Sequence, residues 1–221
     1  MAQLRVQLKL LLPYGLAEAL VGIPPKLHSS EPRQRVISNA ERAGMMAVAS
    51  LDMRVHLLLC GDLGLRAGTS AQVCANMWDR DAGVLRIDGL KHGGAVVLPL
   101  TAELETALRQ AERVSPFAPG NVPYVVRARS NYIHGQPIPN ANALRSALGQ
   151  KFQRIAKRVG ITDLRPHDLR RTAAERLYRY TGDVRDVKAL LGHTNLRSSF
   201  HYLERSATQL SAETMERIKT A

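Results

Sequence analysis

Apolar and polar residues alternate with helical spacing in the first part of the chain, and this pattern predicts three helices. Ser38 and Glu41 have the spacing of a capping box, so a helix begins directly after Ser38. A second helix spans about residues 52–63 and ends before Gly64, since glycine readily takes the left-handed conformation past a helix end. A third helix spans about residues 68–78.

The clearest β-hairpin follows these helices. Val84–Leu90 alternates between apolar and polar positions, Gly93-Gly94 supplies a turn, and Ala95–Leu100 is the return strand, which ends at Pro99. Residues 101–113 return to helical spacing.

A long loop is predicted between the hairpin region and the last helices. Proline, glycine and asparagine are frequent in residues 115–140, where the one strand candidate is Tyr124–Arg127. From Asn142 onward the spacing is helical again. One apolar stripe consists of Leu144, Leu148, Phe152, Ile155 and Val159.

Two further helices complete the pattern. Pro166 suits the first position of a helix, and apolar residues follow it at a spacing of four. Val184–Leu191 has the pattern of a short amphipathic helix, with Gly192 as its left-handed stop. Many helices with one hairpin predict an α+β fold that is mainly α-helical and contains a small antiparallel β-sheet.

The chain divides into one domain and two flanking segments. Prolines and serines punctuate residues 1–31, which we interpret as a linker that leads into a domain of residues 32–205. Residues 206–221 predict a helical tail. Leu4–Ile23 is apolar, but charged residues and a proline interrupt it, so it is a poor membrane span, with a signal peptide as the alternative.

The charge of the chain indicates a polyanionic partner. Lysine and arginine number 31 against 19 aspartates and glutamates, which gives a net charge of +12. Residues 142–171 hold eight of these cations and two acids, or half of the excess. We expect phosphate contacts with double-stranded DNA, although a solvated helix face is the alternative. The candidates are Arg145, Lys151, Arg154, Lys157, Arg158 and Arg171.

The two cysteines do not indicate a metal site. Cys60 and Cys74 form no CxxC pair and have no metal-type spacing to histidine. Each lies in an apolar pattern, so we expect buried, reduced thiols and a cytoplasmic protein.

An anion site is predicted where the last two helices meet. His167 and Arg170 are three apart at the start of a helix, so both side chains point from one face near a positive helix end. His193 follows the stop at Gly192 and is therefore held in a fixed turn. Taken singly, each of these residues is more often an ordinary surface side chain.

Tyr202 lies nine residues beyond His193 and is a candidate nucleophile. A phenol has a pKa of about 10, so it attacks well only where bases and cations stabilise the phenolate. Tyr178 and Tyr180 compete for this role, but they lie about two turns or more beyond Arg170 on the same helix.

In this order the motifs resemble those of the tyrosine recombinase, or phage integrase, family. Arg170 with its neighbours, Leu191-Gly192-His193 and Tyr202 resemble its C-terminal motif. The upstream sequence holds counterparts of the family's arginine box and lysine turn. These are Gly64-Leu65-Arg66, followed by Trp78-Asp79, and the hairpin sequence from Asp88 to Gly94, followed by Leu98-Pro99-Leu100.

The resemblance implies a site-specific recombinase or integrase that breaks and rejoins DNA. Tyr202 would attack the scissile phosphate and keep the 3′-phosphate covalently. Arg66 and Arg170 would hold the non-bridging oxygens through their planar, two-pronged guanidinium groups.

It also implies proton transfer without a metal or cofactor. Lys91 would be the general acid for the 5′-hydroxyl, His167 would assist proton transfer at the phenol, and His193 would hydrogen-bond the phosphate. The covalent bond stores the energy of the phosphodiester, so neither ATP nor a metal is required. The sequence contains no acidic metal cluster or glycine-rich phosphate loop.

Two departures from the family pattern stand out. Thr69 occupies the place of an acid that usually follows the first arginine, and it could cap the following helix. Full-length relatives carry a DNA-gripping domain before the catalytic one, whereas about 31 residues precede this domain. We therefore expect an excised catalytic domain or a truncated relative.

Two other functions remain compatible with the sequence. A type IB topoisomerase uses similar chemistry without strand exchange, and a DNA-binding remnant would no longer cut. For a recombinase, family behaviour implies a homodimer or tetramer on DNA, with residues 206–221 packed on a neighbour. It also implies association with the nucleoid.

Overall fold

The computed structural model describes residues 33–88, 95–114, 123–127, 132–133, 136–137, 141–196 and 199. The chain separates into two units after Arg33, and the helices and strands named below belong to the unit that begins at Gln34. The predicted linker and helical tail lie outside the described residues. The helices are α1 (Asn39–Val48), α2 (Leu51–Gly61), α3 (Ala67–Ser70), α4 (Ala102–Val114), α5 (Tyr124–Arg127), α6 (Ala141–Arg158), α7 (Pro166–Thr181) and α8 (Val184–Leu191). The strands are β1 (Trp78–Asp79), β2 (Val84–Ile87), β3 (Val96–Pro99), β4 (Tyr132–Ile133) and β5 (Gln136–Pro137).

The first two helices begin and end close to the predicted positions. In the capping box of α1, the Ser38 hydroxyl accepts from the Glu41 N–H at 3.2 Å, and the Ser38 N–H donates to the Glu41 carboxylate at 2.9 Å. Helix α2 is buried on nearly every side and packs against α4, α5 and α7. It ends two residues before the predicted Leu63.

The predicted third helix over residues 68–78 is wrong. Helix α3 stops at Ser70, a short 3-10 turn follows at Ala75–Met77, and the chain then enters β1. The reason is a pairing with a distant segment. The Tyr124 N–H donates to the Val73 carbonyl at 2.8 Å, and both side chains are fully buried.

The hairpin prediction is confirmed, and the sheet has an additional strand. Strands β2 and β3 are antiparallel, with Val84 opposite Pro99 and Ile87 opposite Val96. Strand β1 pairs with the other edge of β2, which gives the order β1-β2-β3. The predicted turn at Gly93-Gly94 lies outside the described residues.

The predicted strand at Tyr124–Arg127 is wrong, since this segment is the helical turn α5. Tyr124 and Val125 are both fully buried in the main core. Burying two adjacent side chains in one apolar environment suits a helical turn better than a strand, which sends them to opposite faces.

The last three helices confirm the apolar pattern. Leu144, Leu148, Phe152 and Ile155 of α6 are buried. Helix α7 begins at Pro166, and α8 ends before Gly192, whose φ of 60° is left-handed as predicted. The fold is therefore mainly α-helical with a small antiparallel sheet, as predicted.

Two smaller expectations concern the cysteines and membrane-spanning helices. Cys60 and Cys74 are buried, and both are free thiols. Within the described part of the chain, no helix has the length and apolar character needed to cross a bilayer.

Candidate active site

Arg170 joins three separate segments at one point. Its guanidinium, only 3% exposed, donates to the carbonyl of Gly64, beyond α2, and to the carbonyl of Leu191, at the end of α8, at 2.8 Å. Both acceptors are backbone groups without net charge. These contacts therefore fix the orientation of the guanidinium without removing its charge.

His193 sits directly against this guanidinium. After the left-handed Gly192, the His193 N–H donates to the Lys188 carbonyl at 3.0 Å, which fixes the turn. The imidazole Nε2 lies 3.2 Å from Arg170 Nη2, and Nδ1 lies 3.0 Å from the hydroxyl of the fully buried Ser199. Burial, and then the charge of Arg170, lower the pKa of His193 to about 4.

His167 belongs to the same electrostatic environment. It lies in the first turn of α7 and is exposed at the surface. Partial loss of hydration, and then the charge of Arg170, lower the pKa of His167, while the adjacent Asp168 acts in the opposite direction. Arg66 acts on both imidazoles. The four groups predicted from the sequence therefore converge on one site.

Arg66 occupies the N-cap position of α3, and the Ser70 N–H donates to its carbonyl at 2.9 Å. Its half-exposed side chain forms neither an ion pair nor a hydrogen bond with another described residue. Thr69 lies inside α3 and does not cap it, so the capping role suggested for Thr69 is wrong.

A buried polar pair supports the turn that carries Arg66. The Ser70 hydroxyl lies 2.7 Å from Nδ1 of His56 and 3.0 Å from the Ala67 carbonyl. His56 is fully buried on α2, and burial lowers its pKa to about 4. The α3 turn is thereby attached to the central helix by a neutral hydrogen bond.

The predicted DNA-contacting cations divide into two groups. Lys151 donates to the buried Asp52 carboxylate at 2.7 Å, and the buried Arg171 donates to the Gln34 side chain at 2.9 Å. The structure thus gives these two residues partners within the protein. The remaining four are exposed on α6, and no described carboxylate lies within ion-pair distance of them. They are Arg145, Arg154, Lys157 and Arg158.

The candidate site lies between this surface and an open groove. The Arg145 side chain is 3.6 Å from the position that a β-carbon would take at Gly68, two residues after Arg66. On the other side, a groove of about 680 Å³ between β3 and α8 runs beside His193 and is also lined by Arg185 and Lys188. Both flanks of the site therefore carry positive side chains.

Two of the six predicted catalytic residues, Lys91 and Tyr202, lie outside the described residues. The competing Tyr178 and Tyr180 lie eight and ten residues after Arg170 on α7, or roughly 12–15 Å along the helix axis. Tyr180 is 89% exposed at the far end of that helix. Both tyrosines are therefore at least two helical turns from Arg170 along α7.

Sequence reasoning missed three contributors to this site. The Gly64 and Leu191 carbonyls are backbone groups, whose role no residue type could reveal. Ser199 lies in a polar run, and nothing in the sequence distinguishes it from its neighbours. Within the described residues, no group of three or more histidine, cysteine or acidic side chains is arranged to hold a metal.

Part of this chain is similar in sequence to known recombinases. The tyrosine recombinase XerC of Staphylococcus carnosus (strain TM300) is 38% identical over 78 residues, 35% of this chain and 25% of that protein. XerC of Staphylococcus aureus (strain N315) is 32% identical over 113 residues, 45% of this chain and 37% of that protein. The alignments thus span less than half of either relative.

Solved structures show the same fold. XerA recombinase superposes with a TM-score of 0.64 at 17% identity, covering 91% of this chain and 72% of XerA. The integrase of the transposon Tn1549 superposes with a TM-score of 0.63 at 15% identity, covering 90% of this chain and 70% of that one. A model of the phage integrase family matches residues 32–209. This chain therefore belongs to the phage integrase family.

Proposed function

We propose that residues 32–205 form the catalytic domain of a site-specific DNA recombinase or integrase. The observation that carries this proposal is the convergence of Arg66, His167, Arg170 and His193, in which each imidazole is affected by both arginines. Fixed cationic donors of this kind suit a phosphate that gathers negative charge during reaction. The related XerC proteins are named tyrosine recombinases.

In the cleavage step, the phenol oxygen of Tyr202 attacks the scissile phosphorus while the bond from phosphorus to the 5′-oxygen breaks. His167 assists removal of the phenol proton, and Lys91 donates a proton to the departing 5′-oxygen. The product is a 3′-phosphotyrosine and a free 5′-hydroxyl. Attack by a 5′-hydroxyl on this ester reverses the step and rejoins a strand, so the phosphodiester energy is conserved.

Arg66 and Arg170 would hold the non-bridging oxygens during both steps. Arg170 is already oriented by two backbone carbonyls, so little reorganisation is required when a phosphate arrives. His193 would donate a third hydrogen bond to the phosphate. Since the transition state carries more charge on these oxygens than the bound substrate, the contacts stabilise it preferentially.

The proposed partner is double-stranded DNA. The solved Tn1549 integrase is in complex with transposon right end DNA, and the solved XerH recombinase is bound to its difH substrate. In this chain, the exposed cations of α6 would contact the DNA backbone beside the active site. We further propose a homodimer or tetramer on DNA, with residues 206–221 packed on a neighbouring subunit, and association with the nucleoid.

Covalent trapping tests this proposal. The protein is mixed with a pool of nicked DNA duplexes in EDTA, denatured, and examined for protein joined to DNA. We expect an adduct with the unmodified protein and with the control Tyr180→Phe, but none with Tyr202→Phe. An adduct that persists in Tyr202→Phe would exclude Tyr202 as the nucleophile, and the absence of any adduct would contradict strand cleavage.

A further inference from the structure

The contacts of His193 define which ring nitrogen carries its proton. A guanidinium can only donate hydrogen bonds, so the Nε2 atom, 3.2 Å from Arg170 Nη2, must be the acceptor. In a neutral imidazole the other nitrogen then carries the hydrogen. Nδ1 therefore donates to the Ser199 hydroxyl, 3.0 Å away.

This arrangement is opposite to the one that a bound phosphate requires. The oxygens of a phosphodiester only accept hydrogen bonds, and Nδ1 of His193 faces the buried Ser199. A neutral His193 could therefore donate to a phosphate only with the hydrogen on Nε2. The charges of Arg170 and Arg66 and the neighbouring His167 all disfavour a further positive charge on the ring. Protonation of both nitrogens is therefore the more costly route at neutral pH.

Ser199 has the chemistry that a change of tautomer needs. Its side chain is fully buried, so water does not compete for the hydrogen bond, and its N–H donates to the Leu196 carbonyl at 2.8 Å. A hydroxyl can accept from Nδ1–H and, after rotation, donate to a bare Nδ1. A carboxylate in this place would accept only and would fix His193 in one form.

We propose that Ser199 is a positioning residue for His193. Its hydroxyl accepts from Nδ1–H in the free protein, where Arg170 selects that tautomer, and donates to the bare Nδ1 when a bound phosphate, instead of Nε2, accepts from Arg170. The second half of this statement rests on the proposed function, because it assumes that the phosphate lies against Arg170 and His193. Ser199 itself would not touch the DNA. It acts through the imidazole alone.

The tautomer can be observed directly by long-range ¹H–¹⁵N NMR of the full chain with labelled histidine at pH 7, assigned with His193→Gln. We expect Nδ1–H in the free protein and a shift toward Nε2–H on addition of dimethyl phosphate, a phosphodiester whose oxygens only accept hydrogen bonds. Ser199→Ala should keep Nδ1–H in the free protein, because Arg170 still donates to Nε2, but it should not shift toward Nε2–H when the phosphodiester is added, since nothing then donates to the bare Nδ1. Ser199→Thr should shift as the unmodified protein does. The exposed Ser146→Ala should behave as the unmodified protein.

Cleavage of the DNA recovered by covalent trapping supplies a second readout. Ser199→Ala should lower kcat about tenfold with little change in KM, as expected for one lost hydrogen bond of about 1.4 kcal/mol, and Ser199→Thr should restore it. The proposal is overturned if the free protein holds Nε2–H, or if Ser199→Ala shifts toward Nε2–H and cuts DNA as the unmodified protein does. If no DNA is cut while the tautomers behave as expected, the recombinase function fails and the role of Ser199 stands.

Discussion

Two neighbouring cations of α6, Lys151 and Arg154, should respond to substitution in different ways. Lys151 donates to the carboxylate of Asp52 at 2.7 Å, and Asp52 is fully buried on α2, where it also accepts from Ser50. Arg154 is exposed. Replacing Lys151 by methionine keeps most of the length of the side chain but removes the positive charge 2.7 Å from the buried carboxylate.

The size of the effect follows from this burial. Removing one partner of a buried ion pair typically costs about 3–5 kcal/mol, because an uncompensated charge remains. The Lys151 side chain is itself 23% exposed, so water can partly replace it. We therefore expect Lys151→Met to lower the free energy of unfolding by about 3 kcal/mol. For a domain of this size, the unfolding midpoint should fall by roughly 6–12 °C.

Urea unfolding followed by circular dichroism measures this loss. The double variant Asp52→Asn with Lys151→Met should recover more than half of it, since neither charge is then buried. Arg154→Met should stay within about 0.5 kcal/mol of the unmodified protein. A loss below about 1 kcal/mol for Lys151→Met would refute the reasoning and return Lys151 to the set of DNA-contacting candidates.

The remaining predictions concern the backbone, the DNA, the leaving group and pH. Gly64→Ala should lower the free energy of unfolding in urea more than Gly83→Ala does. Both glycines have a left-handed φ near 65°, so each substitution should cost about 1–2 kcal/mol from the backbone. Only at Gly64 would the new β-carbon also lie 3.0 Å from a leucine side chain. Equal losses would contradict this. Arg154→Ala should reduce the slope of log affinity against log salt by about one unit for every DNA sequence, and an unchanged affinity at low salt would exclude the phosphate contact. Lys91→Ala should slow cleavage of ordinary DNA far more than cleavage of a 5′-thiol substrate, whose leaving group needs no acid, so equal slowing would remove its general-acid role. Burial lowers the pKa of His56 from 6.5 to about 4, so as the pH falls the imidazole is protonated in the unfolded chain before it is protonated in the folded protein. Stability should therefore fall by up to about 3 kcal/mol as the pH drops from 6.5 to 4, and His56→Gln should flatten that dependence.

The elements predicted correctly are those whose signals are local. The capping box of α1, the proline that opens α7 and the glycine that ends α8 each act within one helical turn. The apolar stripe of α6 requires only regular spacing. Such signals do not depend on the rest of the fold, so they can be interpreted without it.

The errors occur where distant segments meet. The helix predicted toward Trp78 ends early because Val73 pairs with Tyr124, a residue from beyond the hairpin. Lys151 is predicted to contact DNA because its ion pair with Asp52 cannot be seen in the sequence. Asp52 is 99 residues away and resembles an ordinary surface acid. Neither contact leaves a periodic pattern, so sequence spacing could not predict them.

The site itself was accessible from the sequence because its charged residues lie beside recognisable helix ends. The sequence could not predict the backbone contacts that orient the Arg170 guanidinium. A guanidinium that is 3% exposed would be costly to bury without hydrogen-bond acceptors, and the Gly64 and Leu191 carbonyls supply them. Because carbonyls carry no net charge, they leave the positive potential in place for an anion. A carboxylate in their position would hold the side chain equally well but would compete with the phosphate. The use of backbone acceptors therefore explains how Arg170 can be a fixed element of the core and still serve the anion-binding role that we propose for it.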